Sequence, residues 1–151
     1  MPESSLTQAV RFSVAGKVRP KGRARTSAKN GVRRHYTPQA TTEYENAIRA
    51  AAIDALGLRP RFNGPVSVTV TVKCKPPKRT SKKAMLEMLA GRLMPTTRPD
   101  IDNILKTVAD GISKIVIRDD ADIVHFVGSK QYAAEPGIEV LIESALPRSC
   151  G

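Results

Sequence analysis

Fourteen acidic residues occur in this chain of 151, and six of them, Asp100, Asp102, Asp110, Asp119, Asp120 and Asp122, crowd between positions 100 and 122. The chain also holds 25 lysines and arginines, for a formal net charge of +11. A protein that attracts a polyanion loses affinity wherever it gathers carboxylates, so the cluster needs a reason of its own. Metal binding supplies one: Mg²⁺ is held by one or two carboxylates with waters and phosphate oxygens completing the shell. Such an ion can generate a hydroxide nucleophile and stabilise a leaving oxygen in phosphodiester hydrolysis. Lys106 follows Asp102 at the helical i,i+4 interval. That spacing fits a surface pair worth only about 0.2–0.5 kcal/mol. It equally fits an ammonium aimed at a scissile phosphate, offsetting transition-state charge.

These residues need elements to position them. Ile101, Leu105, Val108, Ile112 and Ile115 form a helical stripe that Ile104 and Val116 widen, and Pro99 favours an extended approach. Asp100 and Asp102 flank the start of that helix, where capping would explain one carboxylate but not two. The Asp119–Asp120 pair follows the helix and meets the first two acids only if the next strand runs beside the helix start. Asp110, one turn beyond Lys106, reads as a solvated or pairing acid. His35 and His125 have no neighbouring partner in sequence, and a general-base role for either is a minor alternative.

Elsewhere, Val10, Phe12 and Val14 alternate in a first strand over 10–18. Residues 17–34 carry eight bases and no acid, broken by Pro20, Gly22, Asn30 and Gly31, which reads as a basic loop or open hairpin. Thr37-Pro38 opens a helix through Ala40, Tyr44, Ala47, Ile48, Ala51 and Ala55 to a stop at Gly57. Residues 66–74 alternate as a half-buried strand. Residues 73–83 form a second acid-free basic run, and Ala84, Met85, Met88 and Leu89 suggest a short helix after it, although Lys82 and Lys83 oppose its dipole. Residues 122–133 and 137–144 read as two strands joined by a short turn. The expectation is one α+β domain over 1–151, a mixed or antiparallel sheet of about four strands with two to three helices.

The charge and a sequence pI of about 10.1 point to nucleic acid. No basic face opposes a bulky apolar one, as a membrane-surface helix requires, and no apolar run is long enough to span a bilayer. Aromatic residues make up 4% and Trp is absent. That argues against a stacking platform for unpaired bases and for phosphate contacts on duplex arms. The bases expected to make them are Lys17, Arg19, Lys21, Arg23, Arg25, Arg33, Arg34, Lys75, Lys78 and Arg79. No phosphate-cradling glycine loop or P-loop lysine is present, so ATP use is not expected. Cys74 and Cys150 read as reduced thiols, and the start MPESSLTQAV lacks a signal-peptide pattern, so a cytoplasmic location is expected.

The string Arg98-Pro99-Asp100-Ile101-Asp102-Asn103-Ile104-Leu105-Lys106, then Asp110-Gly111, then Asp119-Asp120-Ala121-Asp122-Ile123-Val124, resembles the signature of RusA-type crossover junction endodeoxyribonucleases. Residues 21–25, 36–38 and 42–45 are similar to phage-borne members, so the resemblance covers roughly 10–143. It implies that Asp100, Asp102 and Asp120 are metal-binding aspartates, with Asp119 the other half of the pair, and that Lys106 serves cleavage. It further implies a homodimer nicking four-way DNA junctions with Mg²⁺ or Mn²⁺ in a bacterial, phage or prophage setting. The segment 75–92 departs from the smallest members and bears on substrate choice. Two alternatives stand beside this one. The first is a nuclease for flaps, forks or packaging intermediates. The second is a non-enzymatic basic nucleic-acid binder, which would gain nothing from four aspartates about a helix start.

Overall fold

The computed structural model describes residues 9–18, 25–29, 32–36 and 39–145, with side chains described for 9–18 and 42–145. The alternation at 66–74 becomes the central strand β4 (Val66–Cys74): Val66, Val68, Val70 and Val72 are fully buried, while Ser67, Thr69, Thr71 and Lys73 are half-buried on the other face. Beside it run β5 (Ile123–Tyr132), parallel, and β6 (Gly137–Ser144), antiparallel. β1 (Ala9–Ala15) pairs antiparallel with β6, so the order is β1-β6-β4-β5 and the sheet is mixed. A parallel pair cannot be joined by a tight turn and needs a crossover. The crossover from β4 to β5 carries α2 (Lys82–Leu89) and α3 (Ile101–Ile112).

Helix α1 (Gln39–Leu56) packs on β1 and α3, and α3 packs on β5. One core joins Ile48 and Ala52 of α1, Ile104, Val108 and Ile112 of α3, and the inward residues of the sheet. Two glycines set the closeness of α3 to its neighbours. A Cβ at Gly111 would lie 2.6 Å from the Cγ2 of Ile48, and one at Gly128 would lie 3.1 Å from a methyl of Leu105. Thr107 is fully buried on α3, and its hydroxyl donates to the Asn103 carbonyl at 2.9 Å, which removes the cost of burying it.

Several boundaries differ from the sequence expectation. Within the segment expected as a basic loop or open hairpin, β2 (Arg25–Lys29) and β3 (Val32–Tyr36) pair antiparallel as a separate two-stranded sheet. β1 stops at Ala15, where Gly16 takes φ +103. α3 ends at Ile112, so Ile115 and Val116 are not on its stripe. Lys114 adopts φ +66, and the chain turns to bring Ile117 beside Phe62. Val116 and Ile117 are fully buried, so their apolarity serves the core from a turn rather than from a helix. β5 starts at Ile123 because Asp120–Asp122 form a 3-10 turn. α2 does form: the Ser81 hydroxyl accepts from the Ala84 amide at 3.1 Å, satisfying a free donor despite Lys82 and Lys83. The cap at Thr37-Pro38 and Cys150 lie outside the described residues. Among the described residues no helix is long and apolar enough to cross a membrane.

Candidate active site

Because α3 is amphipathic, burial of Ile104, Val108 and Ile112 turns Asp102 and Lys106 outward along one exposed ridge. The crossover then lays the start of β5 beside that ridge. An open pocket of about 390 Å³ results, lined from α3 by Asp102, Leu105, Lys106 and Ala109, and from the far side by Asp120, Ile123, Val124 and Phe126. Residues 18 positions apart thus share one cavity, and the convergence left open by the sequence occurs for Asp102, Lys106 and Asp120.

The opposing wall owes its shape to local irregularities. The β4–β5 register shifts between Val66 and Ser67, which pair with Ile123 and His125, so Val124 is skipped. A bulge of this kind re-aims a side chain, and Val124 is 63% exposed while lining the pocket. The Asp119 carboxylate accepts from the Asp120 amide at 2.9 Å, and the Asp119 carbonyl accepts from the Asp122 amide at 3.0 Å. The turn carrying Asp120 is therefore capped from its own first residue. Arg118 donates two hydrogen bonds to the Asp122 carboxylate, both at 3.0 Å. The bond to Asp122, with that carboxylate's charge, holds the Arg118 guanidinium above its ordinary pKa, and Asp119 adds a smaller pull.

Of the five residues expected at a catalytic centre, three line the pocket. Asp100 occupies the N-cap position of α3 with extended backbone, and its side chain makes no capping bond. Asp119 caps the turn and is not part of the lining. Asp110 lies on α3 beyond the pocket, where its carbonyl accepts from Arg49. Of the two readings the i,i+4 spacing allowed, the surface pair between Asp102 and Lys106 is not formed: among the described residues no ion pair or hydrogen bond engages the side chains of Asp102, Lys106 or Asp120. His125 is exposed, with Nδ1 3.2 Å from the Ser67 hydroxyl. The apolar wall of Leu105, Ala109, Val124 and Phe126 was not foreseen, and Gly128, which lets α3 sit close on β5, was its available signal.

Among the described residues, no three His, Cys, Asp or Glu side chains form a ready cage for a metal. The donor set still fits a hard divalent ion, since two carboxylates free of cationic partners face one open pocket and Mg²⁺ takes its remaining ligands from water and phosphate. Of the expected DNA-contacting bases, Lys17, Lys75, Lys78 and Arg79 are exposed. Arg25, Arg33 and Arg34 lie on the β2–β3 hairpin, whose side chains are outside the description, as are Arg19, Lys21 and Arg23 altogether.

Two comparisons bear on this arrangement. The family model described as endodeoxyribonuclease RusA matches residues 15–143. The uncharacterized protein YqaN of Bacillus subtilis (strain 168) is 36% identical over 137 residues, covering 88% of this chain and 94% of that protein.

Proposed function

The chain belongs to the endodeoxyribonuclease RusA family, and from that membership we propose that it is a divalent-metal-dependent endonuclease resolving four-way DNA junctions by paired phosphodiester hydrolysis. The observation that carries the proposal is the shared pocket of Asp102, Lys106 and Asp120 in a chain of net charge +11. Asp102 and Asp120 are the residues that would hold Mg²⁺ or Mn²⁺, with Asp100 two residues before Asp102 at the N-cap of α3. When bound, such an ion supplies an activated water and charge stabilisation at the phosphate.

The chain's own groups do the rest. Asp102 sits in the first turn of α3, where free backbone amides favour an anion and orient it. Asp119 holds the turn that presents Asp120. Lys106 stands on the same ridge with its ammonium unengaged, placed to meet the phosphate oxygens as negative charge grows on them. The apolar wall of Val124 and Phe126 keeps bulk water from one side of the pocket and strengthens these electrostatic contacts. Two symmetric nicks need two sites, so the active form in this proposal is a homodimer. ATP has no part in it.

The test is cleavage of a synthetic four-way junction in Mg²⁺ beside linear duplex, flap and fork of matched sequence. Junction-selective paired nicking is expected. Preference for flap or fork would reassign the substrate, and no cleavage of any of them would remove the enzyme reading in favour of a binder.

A further inference from the structure

At the other end of β5 a second pocket of about 360 Å³ opens where β4 and β5 finish and residues 97–99 pass over them. Four cations reach it, Lys17, Lys73, Lys75 and Arg98, and no acid is in its lining. Lys73 is already paired with Glu139. Among the described residues no ion pair engages the other three. The overlying loop is fixed: the Lys130 ammonium donates to the carbonyls of Thr97 at 2.6 Å and Pro99 at 3.1 Å. The pocket is not merely basic, because Val18, Pro77, Pro99 and Pro136 give it apolar walls beside the ring of Tyr132. A bare anion has no use for such walls.

Tyr132 is the decisive residue. Among the described aromatic residues Phe12, Tyr44 and Phe62 are buried, and Phe126 packs against the core. Tyr132 does neither and faces this pocket. Sparse aromatics rule out a row of rings for successive bases, but one base needs only one ring. We infer that this pocket receives a single unpaired nucleotide of the DNA, its base against Tyr132 and its phosphate among Lys17, Lys75 and Arg98. The inference rests on the proposed DNA substrate and names a subsite for it. A cavity near the lower end of the ligand-pocket range, about 300–1,000 Å³, admits one nucleotide and excludes a duplex.

The two pockets lie on either side of the start of α3. Pro99 lines one and Asp102 the other, three residues apart. Those two residues are at most about 11 Å apart, but Tyr132 and Ile123, which line the two pockets from opposite ends of β5, are nine residues apart, about 30 Å along the strand. The captured nucleotide therefore lies within about nine steps of 3.4 Å of the bond to be cut. Taking a nucleotide out of the stack costs a few kcal/mol, and a base already unpaired costs least, so the pocket favours a position at the branch point, where the helical stack is interrupted.

The experiment uses 5-iododeoxyuridine, which photo-crosslinks to adjacent aromatic rings, stepped through positions flanking the crossover of a four-way junction. Asp102→Asn protein holds the DNA uncut, and crosslinked peptides are mapped by mass spectrometry. The same base is also placed in a linear single strand. The expected result is a crosslink at Tyr132 from one or two adjacent positions within about nine steps of the cut. Tyr132→Leu should abolish it and weaken junction binding roughly 5- to 150-fold, the worth of one stacked base. Arg98→Gln, an exposed change that spares the fold, should weaken binding while the crosslink persists. Crosslinks confined to residues outside the pocket would overturn the inference, as would unchanged affinity in a natively folded Tyr132→Leu. Tyr132 crosslinking to the single strand by a wild-type protein that cuts no junction would sink the proposed activity and keep the pocket. Junction cutting without that crosslink would do the reverse.

Discussion

Two pockets flank the first turn of α3, and they carry opposite charge. One places Asp102 and Asp120 with Lys106; the other gathers Lys17, Lys73, Lys75 and Arg98 with no acid. They also differ in how they are built. The acidic pocket draws on a helix face, a capped turn and a bulged strand. The basic one draws on strand ends and a loop tied down by Lys130. Regular elements hold side chains to fractions of an ångström, which bond cleavage requires, whereas long cations on loops suit attraction and grip. Asp122 is neutralised by Arg118 and Glu139 by Lys73, whereas among the described residues no ion pair engages Asp102 or Asp120. What sets these two apart is that they face one pocket from separate elements, with Lys106 beside them.

The contrast is broken most directly by neutralising one acid. Asp102→Asn or Asp120→Asn should lower junction cleavage by about 10³-fold or more. Binding should hold or tighten, because a negative charge near the DNA is gone. Gel-shift and single-turnover assays on one preparation read both, and unchanged cleavage would remove the residue from the centre.

Next in size is Lys106→Met. If Lys106 acts on the phosphate in the transition state, the rate of the bound complex falls roughly 10²- to 10³-fold with little change in affinity. A loss in affinity alone would class Lys106 with the grip of the other pocket.

How much of this was legible beforehand follows from range along the chain. Asp102 and Lys106 share a ridge because i,i+4 spacing is a local property of a helix. Their meeting with Asp120 was not legible, since it depends on β5 returning beside α3 in a parallel pairing with β4. The end of α3 was misplaced because Ile115, Val116 and Ile117 are apolar in any conformation, and the positive φ of Lys114 has no signature in a lysine. The sequence left open which of Asp119 and Asp120 would be the ligand; the Asp119 carboxylate accepts from the Asp120 amide, a contact no pattern displays. The four-strand sheet was read from alternation, though its strand order was not. Tyr132 went unremarked because one ring means little until the pocket around it exists.

Asp119 therefore supplies a sharper, smaller test. Asp119→Ala removes the cap on the Asp120 turn and should cost roughly 10- to 100-fold in rate, the scale for residues that orient a metal ligand. Asp119→Asn keeps an accepting oxygen and should recover most of it; equal loss in both would argue for direct ligation.

On the basic side, Lys17→Gln with Lys75→Gln should flatten the logarithmic salt dependence of binding by about 0.7, the single-strand value for one phosphate contact. The rate of bound junction should stay as it was, and an unmoved slope would take both lysines off the backbone.

The smallest effect concerns Cys74, which lines the basic pocket. Burial pushes its thiol pKa up, with Lys130 pulling the other way. Less thiolate is then present near neutral pH, so in a Cys150→Ser background iodoacetamide should react more slowly than with a free thiol. DNA should slow it further, and no protection by DNA would place the strand elsewhere.

The metal-sharing role of the two aspartates is tested most directly by Mn²⁺ titration followed by electron paramagnetic resonance, with an uncleavable junction bound. Wild-type protein should immobilise an ion that both Asp102→Asn and Asp120→Asn release. Equal Mn²⁺ binding in all three, or junction cleavage undiminished by a chelator, would contradict it.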